Sequence, residues 1–271
     1  MIGIFAQTRE EVATLLENVE ILSTKTIGNM TIYKVTYNNN NFYIIVTGVG
    51  KVNVTFAYTY ALSKLCINKA IVAGNAASLV SETYPIGTVA IATNSLEWDA
   101  DFTALGAGEY VLPPNILGVY PTDPALQQNA IESSTGLGYT TNSGLFASGD
   151  TFVDTTTEAS QINTETGALF LDNDTAFIGQ LSYQLKIPYI SVKGISNYAN
   201  DTAVADYNAN RTTANNLSNR VILEMLDTLF SEVNVGLCNG CNTYNTTNVT
   251  IACPCNCRMW NTCYNRYNFF W

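Results

Sequence analysis

Catalysis by this chain would have to depend on carboxylates, because its 271 residues include no histidine. Histidine is the most common general base in enzymes and the most common nitrogen ligand of zinc, so both roles would need other side chains. Acidic residues outnumber basic ones by 22 to 12, which gives a formal net charge of -10. The 12 basic residues are scattered and do not form the clusters that phosphate backbones require, so no nucleic-acid partner is expected.

Thiols are the second chemically capable group, and six of the seven cysteines lie in the segment 234–271. This segment is rich in Asn and poor in aliphatic residues, which is typical of small units held together by disulfides. A zinc site with four thiolate ligands is the alternative, and free thiols are a third. No cofactor is expected. The even number suits three bridges, within one tail or between subunits, made by Cys238, Cys241, Cys253, Cys255, Cys257 and Cys263.

The same segment ends in aromatic residues, among them Phe269, Phe270 and Trp271. Exposed on a monomer, this cluster would be a liability, so we expect it to dock on a neighbouring copy of the chain. Disulfides would place the protein outside the cell or in a virion, although the N-terminus lacks the features of a signal peptide, and a cytoplasmic location is the alternative. No apolar run approaches the ~20 residues that span a bilayer.

The elements that would position a site alternate between short apolar runs and segments of helical period, which predicts a mainly parallel sheet covered by helices. We expect residues 1–233 to form one domain and residues 234–271 to form a separate tail. A long proline-containing loop is expected through Pro113, Pro114, Pro121 and Pro124. The predicted strands are 2–5, 30–37, 42–47, 70–73, 88–92, 145–148, 170–171 and 189–192, and the predicted helices are 10–19, 51–65 and about 214–229.

The order of these segments, taken with their motifs, resembles the methylthioadenosine/S-adenosylhomocysteine nucleosidases over residues 1 to about 230. The specific pieces are WDADFTALG at 98–106 and SGDTFVD at 148–154, supported by VAGNAASL at 72–79 and IPYISVKGISNYAND at 187–201. The turn GVGK at 48–51 is a weak signal by itself. The resemblance implies an α/β fold with three α/β/α layers around a mixed, partly barrelled sheet. It also implies a nucleoside pocket at the strand ends.

The resemblance further implies a pair of catalytic groups, of which this chain keeps one. The family cleaves the ribosyl bond while an Asp protonates the purine at N7 and a Glu activates water. Glu11 aligns with that Glu, whereas Asn197 stands where the family has its Asp, in ISN instead of ISD. An amide can hydrogen-bond to N7 but has no titratable proton, and general acid catalysis is typically worth ~10²–10⁴-fold.

Further substrate contacts follow from the same alignment. Phe152 aligns with the aromatic that stacks on the base and Tyr207 with one over the ligand, while Asp174 is one methylene shorter than the usual ribose ligand. Lys193 replaces a common Arg. The family is usually dimeric, and its contact loop corresponds here to Trp98, Phe102 and Leu105. The full set of expected substrate-binding residues is Asn75, Ala76, Phe152, Val153, Asn173, Asp174, Ser196 and Tyr207.

Each of these residues also has a purely structural interpretation. Glu11 could be an ordinary acid in the first turn of a helix, where the dipole favours it. Phe152 and Tyr207 could be core or rim aromatics, and Asp172 and Asp174 could cap or pair locally.

Three functions follow from these patterns. The first is a catalytically impaired nucleosidase fold that self-assembles as a structural component, a fibre, shell or virion protein, through its tail; this expectation rests on Asn197 and on the cysteines. The second is an active purine nucleoside N-ribosyl hydrolase that uses Glu11. The third is a protein that binds or stores a nucleoside without cleaving it.

Overall fold

A mixed sheet organises the fold in the computed structural model, which describes residues 1–80, 83–115 and 117–238. Residues Met1–Phe230 form one compact unit. Within the described residues the sheet has 11 strands. The strands are β1 (Ile2–Ala6), β2 (Glu20–Ile27), β3 (Met30–Tyr37), β4 (Asn40–Val46), β5 (Lys69–Val72), β6 (Asn75–Ser78), β7 (Val89–Glu97), β8 (Val119–Pro121), β9 (Thr141–Ser148), β10 (Phe170–Asp172) and β11 (Tyr189–Tyr198).

Helices cover the sheet on both faces. A 3₁₀ turn at Glu10–Val12 leads into the first of them, and a second 3₁₀ turn lies at Thr103–Leu105. The helices are α1 (Ala13–Glu17), α2 (Lys51–Lys64), α3 (Pro124–Gly136), α4 (Thr156–Thr166), α5 (Thr175–Leu185) and α6 (Ala203–Cys238).

The sheet closes on itself through its last strand. The strand order is β2-β3-β4-β1-β5-β11-β6-β10-β9-β7-β8, and β11 also pairs with β7. The first residues of β11 pair with β5, Val192–Gly194 pair antiparallel with β7, and the last residues pair with β6. Strands β11, β6, β10, β9 and β7 therefore form a closed ring, while β5, β1, β4, β3 and β2 continue as an open sheet. This is the mixed, partly barrelled sheet predicted from the sequence.

The central strands are buried on both faces because each face carries helices. In β1, Ile4 packs with residues of α1 and α6, whereas its neighbour Phe5 packs with residues of α2 and α5. Successive side chains of a strand point to opposite faces, so a strand covered on both sides has a continuous apolar sequence rather than an alternating one. The three-layer α/β/α arrangement predicted from the sequence is confirmed.

Several predicted boundaries were wrong. The helix predicted over 10–19 is a 3₁₀ turn followed by α1, which ends at Glu17. The predicted proline loop contains β8, and α3 begins at Pro124, a residue that suits the first turn of a helix because its missing N–H is not needed there. Strand β2 and helices α4 and α5 were not predicted.

The described part of the chain, with its gaps at 81–82 and 116 and its end at 238, contains no helix of the length and apolar composition that crossing a membrane requires. The predicted tail lies almost wholly beyond that end, so its separate folding stays a prediction.

Candidate active site

A cavity of about 280 Å³ lies where several strands end. Open α/β sheets bind ligands at the carboxyl ends of their strands, where loops bring polar side chains from distant segments together. Here the contributing segments follow β1, β9 and β10, with additions from β6, β11 and α6. Among the predicted site residues, those that line the cavity are Glu11, Asn75, Ala76, Phe152, Val153, Asn173, Asp174, Asn197 and Tyr207.

Glu11 is held by the backbone at the floor of this cavity. Its Oε2 accepts hydrogen bonds from the N–H groups of Gln7, at 2.6 Å, and Thr8, at 3.1 Å. Both donors belong to the turn that follows β1, so the sequence of that turn aims the carboxylate. Burial raises the pKa of Glu11, and the nearby Lys193 ammonium and the two N–H donors oppose this rise only in part. A carboxylate fixed in this way and with a raised pKa is suited to accept a proton from water.

Asp174 and Lys193 form a fully buried ion pair beside Glu11. Lys193 Nζ donates to Asp174 Oδ1 at 2.8 Å and to Oδ2 at 3.0 Å, and it also donates to the Ala73 carbonyl at 2.9 Å. Burial raises the pKa of Asp174 well above its usual value, although Lys193 opposes this. Burial lowers the pKa of Lys193, but the surrounding carboxylates outweigh it and the net shift is upward. Lys193 is therefore charged.

Asp172 has a different role from Asp174, although only one residue separates them. Asp172 Oδ1 accepts from Ser148 Oγ at 2.5 Å and from the Thr175 N–H at 3.3 Å, and the Thr175 hydroxyl donates to its other oxygen. This carboxylate caps the first turn of α5. Asp174 occupies the N-cap position itself but makes no capping bond with its side chain. Its carboxylate turns to Lys193 and lines the cavity instead.

Gly74 allows Glu11 and Lys193 to approach each other. Its φ is +126°, a region that residues with a Cβ rarely adopt. A Cβ here would lie 3.1 Å from Glu11 Cδ and 3.3 Å from Lys193 Nζ. The sequence showed Gly74 only as part of a small-residue run, without this contact.

Asn197 lies 3% exposed at the end of β11, and Ser196 orients its amide. Ser196 Oγ donates to Asn197 Oδ1 at 2.7 Å, the shortest of its contacts with acceptors. Asn197 Nδ2 donates to the Tyr198 carbonyl at 3.1 Å. An amide nitrogen has two N–H donors, so the second is available to a group in the cavity. Ser196 itself does not line the cavity but supports Asn197 from behind.

Two aromatic rings form the rim. The rings of Phe152 and Tyr207 are 5.9 Å apart at 77°, and Phe152 is 48% exposed. Arg211 lies 5.5 Å from the Tyr207 ring centre and forms an ion pair with Glu10 at 3.2 Å. An exposed aromatic at the mouth of a polar cavity offers a flat apolar surface on which a base can stack.

The remaining residues predicted to contact substrate are hydrogen-bonded to other protein groups or buried. Asn173 Nδ2 donates to the Gly149 carbonyl at 2.6 Å, and Asn75 Nδ2 donates to Asn215 Oδ1 at 2.9 Å. Ala76 and Val153 are both buried. Asn75 Oδ1 also lies 3.2 Å from the Ser196 hydroxyl, so these residues shape the wall of the cavity.

The residues predicted to contact a second subunit differ in exposure. Phe102 is 41% exposed and Leu105 is 81% exposed. Trp98 packs instead against the core beside Ala147 and Val153. Assembly of the chain with itself stays a prediction, and the expected contacts of Phe269, Phe270 and Trp271 lie outside the described residues.

The zinc site that the sequence leaves open would lie in the tail. In the described residues no group of His, Cys, Asp and Glu side chains has an arrangement that could hold a metal ion. The cysteine predictions, whether disulfide or zinc, concern Cys241, Cys253, Cys255, Cys257 and Cys263, which lie outside the described residues, and Cys238, whose side chain is not described.

The chain is similar to known proteins over most of its length. The profile of the phosphorylase superfamily matches residues 1–227. The 5'-methylthioadenosine/S-adenosylhomocysteine nucleosidase of Staphylococcus carnosus is 30% identical over 233 residues, which are 84% of this chain and all of that protein. Two solved structures from Helicobacter pylori have TM-scores of 0.80 at 23% identity and cover 84% of this chain. One, of which 97% is matched, is a futalosine hydrolase, and the other, of which 98% is matched, is an aspartate-to-asparagine mutant of the nucleosidase with 5'-methylthioadenosine in the active site.

These relatives correct the first function drawn from the sequence. A self-assembling structural component was predicted, but similar proteins over the whole domain are nucleosidases. The prediction gave too much weight to one altered residue, Asn197, and to a tail outside the matched region. The filament and the extracellular or virion location depended on that hypothesis, and the relatives do not support them.

The match over residues 1–227, together with a relative that is 30% identical over its entire length, shows the family. The chain belongs to the phosphorylase superfamily and is similar to its methylthioadenosine/S-adenosylhomocysteine nucleosidases.

Proposed function

We propose that this protein is a purine nucleoside N-ribosyl hydrolase of the methylthioadenosine/S-adenosylhomocysteine type. The observation that carries the proposal is Glu11, a buried carboxylate with a raised pKa, aimed into the cavity by two backbone N–H groups. Its position next to the Asp174–Lys193 pair supports the same proposal, because ribose hydroxyls are commonly held by carboxylates. The names of the relatives supply the substrate class.

In the proposed reaction, a water molecule beside Glu11 attacks C1' of the ribose. The bond from C1' to the base breaks with its electron pair going to the base, and Glu11 accepts a proton from the water. The sugar passes through a state with positive charge, which the buried carboxylates Glu11 and Asp174 stabilise. Phe152 stacks on the base at the rim.

Asn197 sets the rate in this proposal. Its free N–H binds N7 of the purine but cannot transfer a proton to it. The base therefore departs without being protonated at N7, which makes it a poorer leaving group. Turnover is slow rather than absent. The Helicobacter pylori nucleosidase with an asparagine in place of an aspartate holds 5'-methylthioadenosine in its active site, which supports nucleoside binding by a chain with such an exchange.

The test is the release of adenine from 5'-methylthioadenosine at high enzyme concentration. We expect slow release by the natural chain and a loss of at least ~10²-fold in Glu11→Gln, the scale on which positioned acid–base groups act. Glu17→Gln makes the same chemical change at an exposed site on α1 and should leave the rate unchanged. Release that is equal in both variants would overturn the role of Glu11. A ligand-induced rise in melting temperature without any turnover would favour the nucleoside-binding alternative.

A further inference from the structure

We propose that this site prefers nucleosides with a cationic base, such as pyridinium N-ribosides, over neutral purine nucleosides. The inference rests on the proposed function, because it assumes that Glu11 delivers water to a ribosyl carbon. It goes further by naming the charge of the base as the property that the site selects.

The first argument concerns the leaving group. A neutral purine leaves as an anion unless it is protonated, and Asn197 cannot supply that proton. A cationic base carries a quaternary glycosidic nitrogen, so the electron pair of the broken bond neutralises it and the base leaves as a neutral heterocycle. A site that keeps its water-activating carboxylate and lacks the acid is therefore chemically complete for this substrate class.

The step balances without any further reactant. Water oxygen forms a bond to C1' while the bond from C1' to the ring nitrogen breaks. The electron pair of that bond stays on the nitrogen and removes its positive charge. One water proton passes to Glu11, and the products are the free sugar and a neutral base.

The second argument is the charge of the cavity. Four carboxylates line it, those of Glu11, Asp150, Asp172 and Asp174, whereas Lys193 is the one cation in its lining within the described residues. Glu11, Asp172 and Asp174 are each at most 9% exposed, so solvent screens them weakly. Charges in a largely buried site interact more strongly than exposed ones, so an excess of carboxylates attracts a cationic ligand.

The other nearby cations do not cancel this excess. Lys51 Nζ is 2.7 Å from Glu97 and 3.1 Å from Asp99, so its charge is already paired. Its backbone N–H donates to Asp150 at 2.8 Å, which only partly offsets that carboxylate. Arg211 does not line the cavity and pairs with Glu10 at 3.2 Å.

The third argument is the fit of Asn197 to such a base. Ser196 holds the amide oxygen at 2.7 Å, so the amide presents N–H to the cavity. A protonated acid at this position would be needed for a neutral purine, whereas an N–H donor can bind a carbonyl substituent on a cationic ring. The amide thus becomes a recognition group, with no proton to transfer.

The experiment compares two substrates that differ in charge and share their heavy atoms. Nicotinamide riboside is cationic, and its dihydro form is neutral. Adenosine serves as the neutral purine. For each, the ratio of kcat/KM to the rate of hydrolysis without enzyme removes the intrinsic reactivity of the substrate. We expect this ratio to be at least ~10-fold higher for nicotinamide riboside than for either neutral nucleoside, and Glu17→Gln should give the same preference.

Asn197→Asp separates failure of this inference from failure of the proposed function. Restoring the acid should raise turnover of adenosine and lower the preference for the cationic substrate by ~10²-fold, the lower end of what general acid catalysis supplies. If Asn197→Asp cleaves adenosine while the natural chain shows no preference for nicotinamide riboside, this inference is overturned and the proposed function stands. If neither protein, both folded by circular dichroism, cleaves any of the three nucleosides or 5'-methylthioadenosine, the proposed function is overturned as well.

Discussion

At the scale of single residues, one atom exchange separates Asn197 from a catalytic acid. The amide and a carboxylic acid have nearly the same shape, and the surroundings of Asn197 already include the Ser196 hydroxyl at 2.7 Å. We expect Asn197→Asp to raise kcat for 5'-methylthioadenosine by ~10²–10⁴-fold. Adenine release measured by absorbance checks this. An unchanged kcat in a folded variant that binds the nucleoside would show that the acid is not what limits the reaction.

A second expectation at this scale concerns Lys193, the partner of Asp174. Lys193→Met keeps an unbranched side chain one atom shorter than lysine but leaves Asp174 buried without its counter-ion. Breaking a buried pair on one side typically costs about 3–5 kcal/mol of unfolding free energy. Denaturation by urea measures this loss.

Lys64→Met is the matched control, because Lys64 is exposed near the end of α2. It should change the free energy of unfolding by less than ~0.5 kcal/mol, as surface substitutions usually do. Equal losses in the two variants would mean that the ion pair contributes nothing specific.

At the scale of elements, Gly74 lies between β5 and β6 and leaves room for the Glu11 and Lys193 side chains to approach each other. Gly74→Ala forces a Cβ into a backbone region that costs about 1–3 kcal/mol, at 3.1 Å from Glu11 Cδ. We expect the variant to be less stable. We also expect the fraction that stays folded to be less active, because the new Cβ would displace Glu11. Gly136→Ala is the control, because it lies at the end of α3 with open space around its Cβ. A fully active Gly74→Ala variant would contradict this role.

Strands and helices were predictable from the sequence where buried residues form a regular apolar pattern, and they were missed where polar residues interrupt that pattern. Strand β1 was found because its residues are all apolar and buried. Strand β11 was predicted to end at Val192, but it continues to Tyr198 through Lys193, Ser196 and Asn197. Those polar residues belong to the site, so function interrupts the apolar pattern that marks a strand. Helix α3 was missed because its polar face and its first proline suggested a loop.

The site was predictable to the level of positions, through the resemblance, but not to the level of partners. Glu11, Asp174 and Asn197 were all expected at the cavity. The capping role of Asp172 is local, since Thr175 lies three residues further along the chain, and capping was one of the interpretations open from the sequence. The pairing of Lys193 with Asp174 was not predicted, because it joins β11 to the N-cap of α5, 19 residues away, and no local pattern encodes such a contact.

At the scale of the whole molecule, three buried charges give stability the same dependence on pH. The pKa values of Glu11 and Asp174 are raised in the folded state, mainly by burial. Between the unfolded and folded pKa values of these carboxyls the unfolded chain binds fewer protons, so the free energy of unfolding falls as pH rises. The pKa of Lys193 is also raised, so this residue likewise makes the free energy of unfolding fall with rising pH, but only in the alkaline range where a lysine titrates. The net charge of -10 adds self-repulsion as acids ionise.

We therefore expect the free energy of unfolding, measured with urea, to decrease as pH rises from ~4, the ordinary pKa range of Asp and Glu, toward neutrality. Salt at ~0.5 M screens exposed charges but reaches buried ones much less, so a slope that persists in salt belongs to the buried carboxyls. Glu11→Gln removes one of them and should make that residual slope shallower, because a Gln does not titrate, while Glu17→Gln should not alter it. Stability that rises over this range, or a slope that salt abolishes, would mean that burial does not raise the pKa values of Glu11 and Asp174.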